Sequence, residues 1–264
     1  MASDVQPDSS PLAGSVLFYK DPQPLDSQRH AKLGMNGSDK PYGFTRGQHF
    51  VPLHVGEFQP ASLSYPIIFA GDDRTPLAVL GVNAGENLFV DAEGGWRPGA
   101  YIPAFVRRYP FVSARDDVAK RMIVCIDRSF ELFTEENPET PLFFNGEASE
   151  FTQRCINYCN GFDQDARSTE SFIAVLKELD LFEPKKTMYT PTLPDGSPGE
   201  PVLIADYFGV SQEKLNALPE AKLVELVKNG GLSQIYAHLT SLLGWDRLII
   251  ETAIYGQRNQ PANA

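Results

Sequence analysis

Cysteine is scarce in this chain of 264 residues, and the three present, Cys125, Cys155 and Cys159, are an odd number. A disulfide framework is therefore not the expected source of stability, and reduced cytoplasmic thiols fit better. Long apolar runs are missing as well, since nothing approaches the roughly 20 residues that cross a bilayer. No membrane span is expected. The start, Met1 to Pro11, is polar and carries Asp4 and Asp8, without the basic end and apolar centre of a secretory signal. The expected compartment is the cytoplasm.

Familiar catalytic patterns are also absent. There is no G-x-S-x-G elbow, no G-x-G-x-x-G and no G-x-x-x-x-G-K-[ST]. Gly81-Val-Asn-Ala-Gly85 is a glycine pair with no lysine after it, and Asp91-Ala-Glu-Gly is too short for a calcium loop. Histidine numbers only four. His49, His54 and Glu57 invite a metal reading, but the run Phe50–Phe58 reads as one strand. Alternation would then turn His54 away from the other two and set His49 and Glu57 about 27 Å apart. Cys155 and Cys159, at i and i+4, lack further ligands, and position 162 is Phe where a C-x3-C-x2-C cluster motif needs cysteine. Both read as small apolar-face residues, and Cys125 in M-I-V-C-I reads as core. His238 is a lone helical histidine with a structural reading. Neither metal nor cofactor is expected.

Basic charge is in short supply, with 23 Lys and Arg against 34 Asp and Glu. A net charge of −11 argues against nucleic acid as a partner, because phosphate contacts need a basic surface. The imbalance is uneven. Trp96 to Arg128 holds seven basic and three acidic residues, and Ser129 to Glu150 follows with six acidic and no basic ones.

What is present is ordinary globular composition, 42% hydrophobic and 22% charged, enough for a core. The first half reads as strands: Ser15–Tyr19, Phe50–Phe58, Tyr65–Ala70, Leu77–Val82, Asn87–Asp91, Phe105–Val112 and Arg121–Ile126. Asp91 to Gly95 reads as a hairpin turn. Helical spacing takes over after Gly146, at Phe151, Cys155, Ile156 and Cys159. A second helix capped by Ser168 or Thr169 carries Phe172, Val175, Leu176 and Leu179 and ends near Phe182-Glu-Pro184. Thr187–Phe208 returns to strand and turn, with a turn at Pro194-Asp-Gly196. Short helices follow from Ser211 and Pro219, stopping at Gly230-Gly231, and a last helix covers Leu232–Leu243. Strands first and helices later predict an α+β fold. We expect flexible ends at 1–14 and 256–264 and one domain over 15–255, with a soft boundary near 145 as the alternative.

The most distinctive segment is Trp96–Phe111, W-R-P-G-A-Y-I-P-A-F-V-R-R-Y-P-F, with five aromatics, three prolines and three arginines. Two readings stand. Its aromatics fill the core while its arginines pair with nearby acids, or Trp96, Arg97, Tyr101, Arg107, Arg108 and Tyr109 face a protein or peptide partner. A separate polar set, His30, Glu57 and Asp127, is the candidate for proton transfer if the protein is an enzyme.

Further blocks are Pro24-Leu-Asp-Ser-Gln-Arg-His30, Val55-Gly-Glu-Phe58, Tyr65-Pro-Ile-Ile-Phe69, Leu80–Asp91, Gly95–Phe111, Cys125-Ile-Asp127, Leu142-Phe-Phe-Asn-Gly146 and Ile235–Leu242. Together they resemble the SapC family of bacterial proteins. After His30 the chain reads Ala31-Lys32 and lacks a further basic residue that relatives often show. The resemblance spans roughly residues 15 to 250 in order and implies a link to surface-layer systems, or to uptake through outer-membrane receptors. It supplies no catalytic residues. The favoured expectation is a non-catalytic accessory or binding protein; the alternative is an enzyme or peptide-modifying component. The first reading expects Arg107→Ala and Arg108→Ala to weaken partner capture with little effect on thermal stability.

Overall fold

The computed structural model describes residues 17–116, 121–190 and 196–258. Along the chain run β1 (Pro22–Pro24), β2 (Gly34–Met35), β3 (Phe50–Pro52), α1 (Phe58–Ser62), β4 (Ile67–Ala70), β5 (Thr75–Val79) and α2 (Ala104–Arg107). Then come β6 (Phe111–Asp116), β7 (Arg121–Asp127), β8 (Phe133–Thr134), β9 (Thr140–Pro141), β10 (Phe143–Phe144) and β11 (Glu147–Ala148). After these the chain forms α3 (Glu150–Glu178), β12 (Phe182–Tyr189), β13 (Val202–Val210), α4 (Gln212–Asn216), α5 (Glu220–Lys228), α6 (Gly231–Ser241) and α7 (Gly244–Arg258). Antiparallel sheets joined by hairpins, with helices gathered in the C-terminal half, make this an α+β protein.

Backbone contacts divide the chain into two units, residues up to Gly37 with Tyr109–Cys159, and Ser38–Arg108 with Asn160 onward. The first unit holds two three-stranded sheets, ordered β1-β7-β6 and β8-β2-β9, and the β10–β11 hairpin. Its core joins Leu33, Phe111, Ile126, Phe130, Phe133, Leu142, Phe143 and Cys159. Asn145 and Gly146 turn β10 into β11 with φ of +51° and +82°, the left-handed pair that a two-residue hairpin requires. The second unit is built on a five-stranded antiparallel sheet, β12-β13-β4-β5-β3. Helix α6 packs on β4, β13 and α1, and α5 packs on α6.

Several local expectations are corrected. The strand beginning at Phe50 ends at Pro52; Val55–Glu57 is a 3₁₀ turn that leads into α1. Alternation therefore does not separate His54 from Glu57, which share one turn. Phe105–Val112 is not a strand throughout, because Ala104–Arg107 is helical and β6 starts at Phe111. Asn87–Asp91 forms no strand, only a bridge between Val90 and Trp96. The turn it feeds does close, with Asp91 N–H donating to the Gly95 carbonyl. Gly94 there has φ +94°, and a Cβ would sit 2.7 Å from the Lys40 carbonyl oxygen.

The two expected helices after Gly146 are one helix of 29 residues, α3. Ser168 and Thr169 do not cap it. Their hydroxyls donate back to the carbonyls of Gln164 and Asp165, the bond that serine and threonine make inside a helix. The helix stops at Glu178, and Phe182 already begins β12. Helix α7 was not anticipated. Tyr19 lies in a loop rather than a strand, while Ser15 and Val16 lie outside the described residues, as do Pro194 and Asp195 of the expected turn.

Candidate functional site

Two of the sequence blocks, V-G-E-F and Y-I-P-A-F-V-R-R, converge on the carboxylate of Glu57. Because the 3₁₀ turn at Val55 folds the chain back, Oε2 of Glu57 accepts the N–H of His54 at 2.9 Å. Oε1 accepts the Tyr101 hydroxyl at 2.9 Å and the Ala104 N–H at 2.6 Å. Glu57 is buried, so three donors compensate its loss of water. Burial and the adjacent carboxylate push the Tyr101 hydroxyl up to about 12, against the opposing pull of Arg107.

Arg107 completes the network from the exposed side. Its Nη2 donates to the Tyr101 oxygen at 3.1 Å and its Nε to the Ile102 carbonyl at 2.9 Å. Arg108, the next residue, points the other way and is buried. Its guanidinium stacks 4.0 Å from the Phe162 ring centre and 4.8 Å from that of Phe105. His54 meets the same Phe162 edge-on, with ring centres 4.1 Å apart. His54 Nδ1 lies 3.9 Å from Glu57 Oε2. Burial lowers the tendency of this imidazole to protonate, although Glu57 and Asp165 oppose it.

The remaining candidates are placed as follows. Trp96 is half-buried and packs edge-on against Tyr42. Arg97 pairs with Glu251 at 2.8 Å, donates to the Leu88 carbonyl and covers Phe89. Tyr109 and Asp127 meet in the first unit, the hydroxyl donating to Oδ2 at 3.2 Å. Asp127 also accepts the N–H groups of Lys20, Asp21 and Ser129 and the Ser129 hydroxyl. Burial pushes its carboxyl up, but the hydrogen bonds led by Ser129 outweigh that and hold it below the usual range. His30, also in the first unit, is buried and accepts the Asp26 N–H through Nδ1. Glu57 belongs to the second unit, with Tyr101, Arg107 and Arg108.

The cysteines are free thiols, with Cys125 and Cys159 buried and Cys155 half-buried. Burial pushes Cys125 and Cys155 up to about 11. Among the described residues no three His, Cys, Asp or Glu side chains gather as a metal set.

Sequence reasoning missed a groove of about 610 Å³. One wall is the α3 face bearing Ala166, Thr169, Glu170, Ile173, Ala174 and Lys177. The facing wall comes from the end of β3 and the start of β5, including Leu53, His54, Asp73 and Pro76. The α3 residues recur at helical spacing, a signal that continuous helix through Ser168 would have made readable.

These features define an α+β protein with a buried carboxylate network behind a helix-lined groove. The SapC family profile matches residues 25–248, so the chain belongs to the SapC family. No curated protein and no solved structure matches it. Among the described residues, no helix is long and apolar enough to cross a membrane.

Proposed function

We propose that this SapC-family chain is a non-catalytic accessory or binding protein that holds a protein or peptide partner. The observation behind this reading is how the ionisable candidates are engaged. Glu57 accepts three hydrogen bonds, two of them from backbone N–H groups. Asp127 accepts from three backbone N–H groups and two hydroxyls. A general base needs a lone pair within reach of substrate, whereas these carboxylates brace the chain. The same network holds Arg107 at the surface through two hydrogen bonds, a presentation that leaves less ordering to be done on binding. We place the protein in the cytoplasm, which suits three free thiols, and connect it with surface-layer or outer-membrane uptake systems through its family.

Affinity capture from native extract tests the proposal. The expected result is a reproducible protein partner retained by the native chain and lost with Arg107→Ala. A co-purifying metabolite or metal with no protein partner would overturn it in favour of an enzyme.

A further inference from the structure

The groove along α3 has a length and a charge pattern that together specify an occupant. Its helical wall runs from Ala166 to Lys177, about 16 Å at 1.5 Å per residue. At about 3.3 Å per residue, an extended peptide of about five residues matches that span. The opposite wall carries Pro52 and Leu53 at the end of β3, the last strand of its sheet. Leu53 and Ile173 supply apolar contact, and the volume lies within the range of ligand clefts.

The polar groups select among peptides. Asp73 and Glu170 bring two carboxylates, while the one ammonium, Lys177 Nζ, donates to the Asp72 carbonyl at 3.0 Å. His54 lines the groove and is 7% exposed. The groove therefore offers carboxylate acceptors and net negative charge beside aliphatic side chains.

We propose that this groove binds an extended peptide segment in which aliphatic residues alternate with lysine or arginine. The proposal rests on the binding-protein reading and supplies the chemistry of the segment held. Aliphatic side chains face Leu53 and Ile173, and the basic ones reach Asp73 and Glu170.

The test is selection of displayed random peptides about six residues long on the native chain, with the Ala174→Trp chain as the subtractive control. Ala174 is exposed in the groove wall, so tryptophan fills the groove without entering the core. Enriched sequences should combine aliphatic and basic residues. A fluorescein-labelled peptide of the enriched sequence should bind about tenfold more weakly to the Ala174→Trp chain. Glu170→Lys, at another exposed site, should weaken the same peptide by a similar factor and leave the circular dichroism spectrum unchanged. Enrichment that survives Ala174→Trp, selection of acidic peptides, or no enrichment over the control would each overturn the proposal. Arg107→Ala should leave peptide affinity within about twofold, so failure of the groove and failure of partner capture are separate results.

Discussion

Val210 donates its N–H to Nε2 of His238 at 3.0 Å, and Nδ1 of the same ring bonds the Ile67 carbonyl at 2.9 Å. Strands β13 and β4 pair directly only at Phe208 and Phe69. The fully buried imidazole from α6 thus supplies two further links between them, with its proton on Nδ1 and its lone pair on Nε2.

Acid should weaken this link. Burial lowers His238 from 6.5 to about 4, with the Ile67 bond opposing. The unfolded chain then binds the extra proton between those values, so stability is complete above about pH 6.5 and falls towards pH 4. The expected loss is about 3 kcal/mol. His238→Ala should cost about 3 kcal/mol at pH 7 by unpairing the Val210 N–H and Ile67 carbonyl. It should also abolish this part of the pH dependence. Denaturant unfolding of both chains at pH 7 and pH 5 checks the pair; equal pH slopes would contradict the role of His238.

Glu57→Ala removes the acceptor for three donors. Loss of about 3 kcal/mol is expected, against about 1 kcal/mol for Tyr101→Phe. A double-mutant cycle should return a coupling of about 1 kcal/mol, since the two groups meet directly. Additive losses would mean that the network does not act as a unit.

The neighbouring arginines should differ. Arg107 is exposed, and Arg107→Ala should change stability by less than about 1 kcal/mol. Arg108 is buried over two rings, and Arg108→Ala should cost about 2 kcal/mol through lost packing and cation–π attraction. This departs from the expectation, drawn from the binding-protein reading, that both substitutions leave thermal stability nearly unchanged. Thermal unfolding of the two single variants decides the point.

Thiol chemistry supplies a further check. With Cys125 and Cys155 pushed up to about 11 from an ordinary value of 9, their thiolate fraction near pH 7.5 drops about a hundredfold. Iodoacetamide should label both slowly in the native chain and rapidly once denaturant is added. Fast native labelling of Cys125 would contradict its burial.

Much of the frame was readable in order along the chain. The α+β class followed from short β-rich runs giving way to helical spacing, and the Asp91–Gly95 turn followed from its glycines. Cys125 read as core and His238 as structural, and the structure buries both. Periodicity reports which face of an element is apolar, so it could say this much without knowing the neighbours.

Boundaries and convergence needed the tertiary structure. Ser168 and Thr169 are good caps by type, yet inside α3 their hydroxyls turn back onto the preceding turn, so local preference yielded to the continuous helix. A run such as Phe50–Phe58 suits a strand, but the strand ends at Pro52 and the Glu57 carboxylate ties His54 into a turn. Glu57 and Tyr101 are 44 residues apart, and no spacing rule joins them. By itself, then, the sequence determined the class of fold, the family and the residues available for chemistry, because composition, period and motif are properties of the chain. Which carboxylates became braces, which arginine stayed exposed and where a groove opened were decided by packing. Burial makes an unpaired polar group costly, and only the folded neighbours can supply its partners.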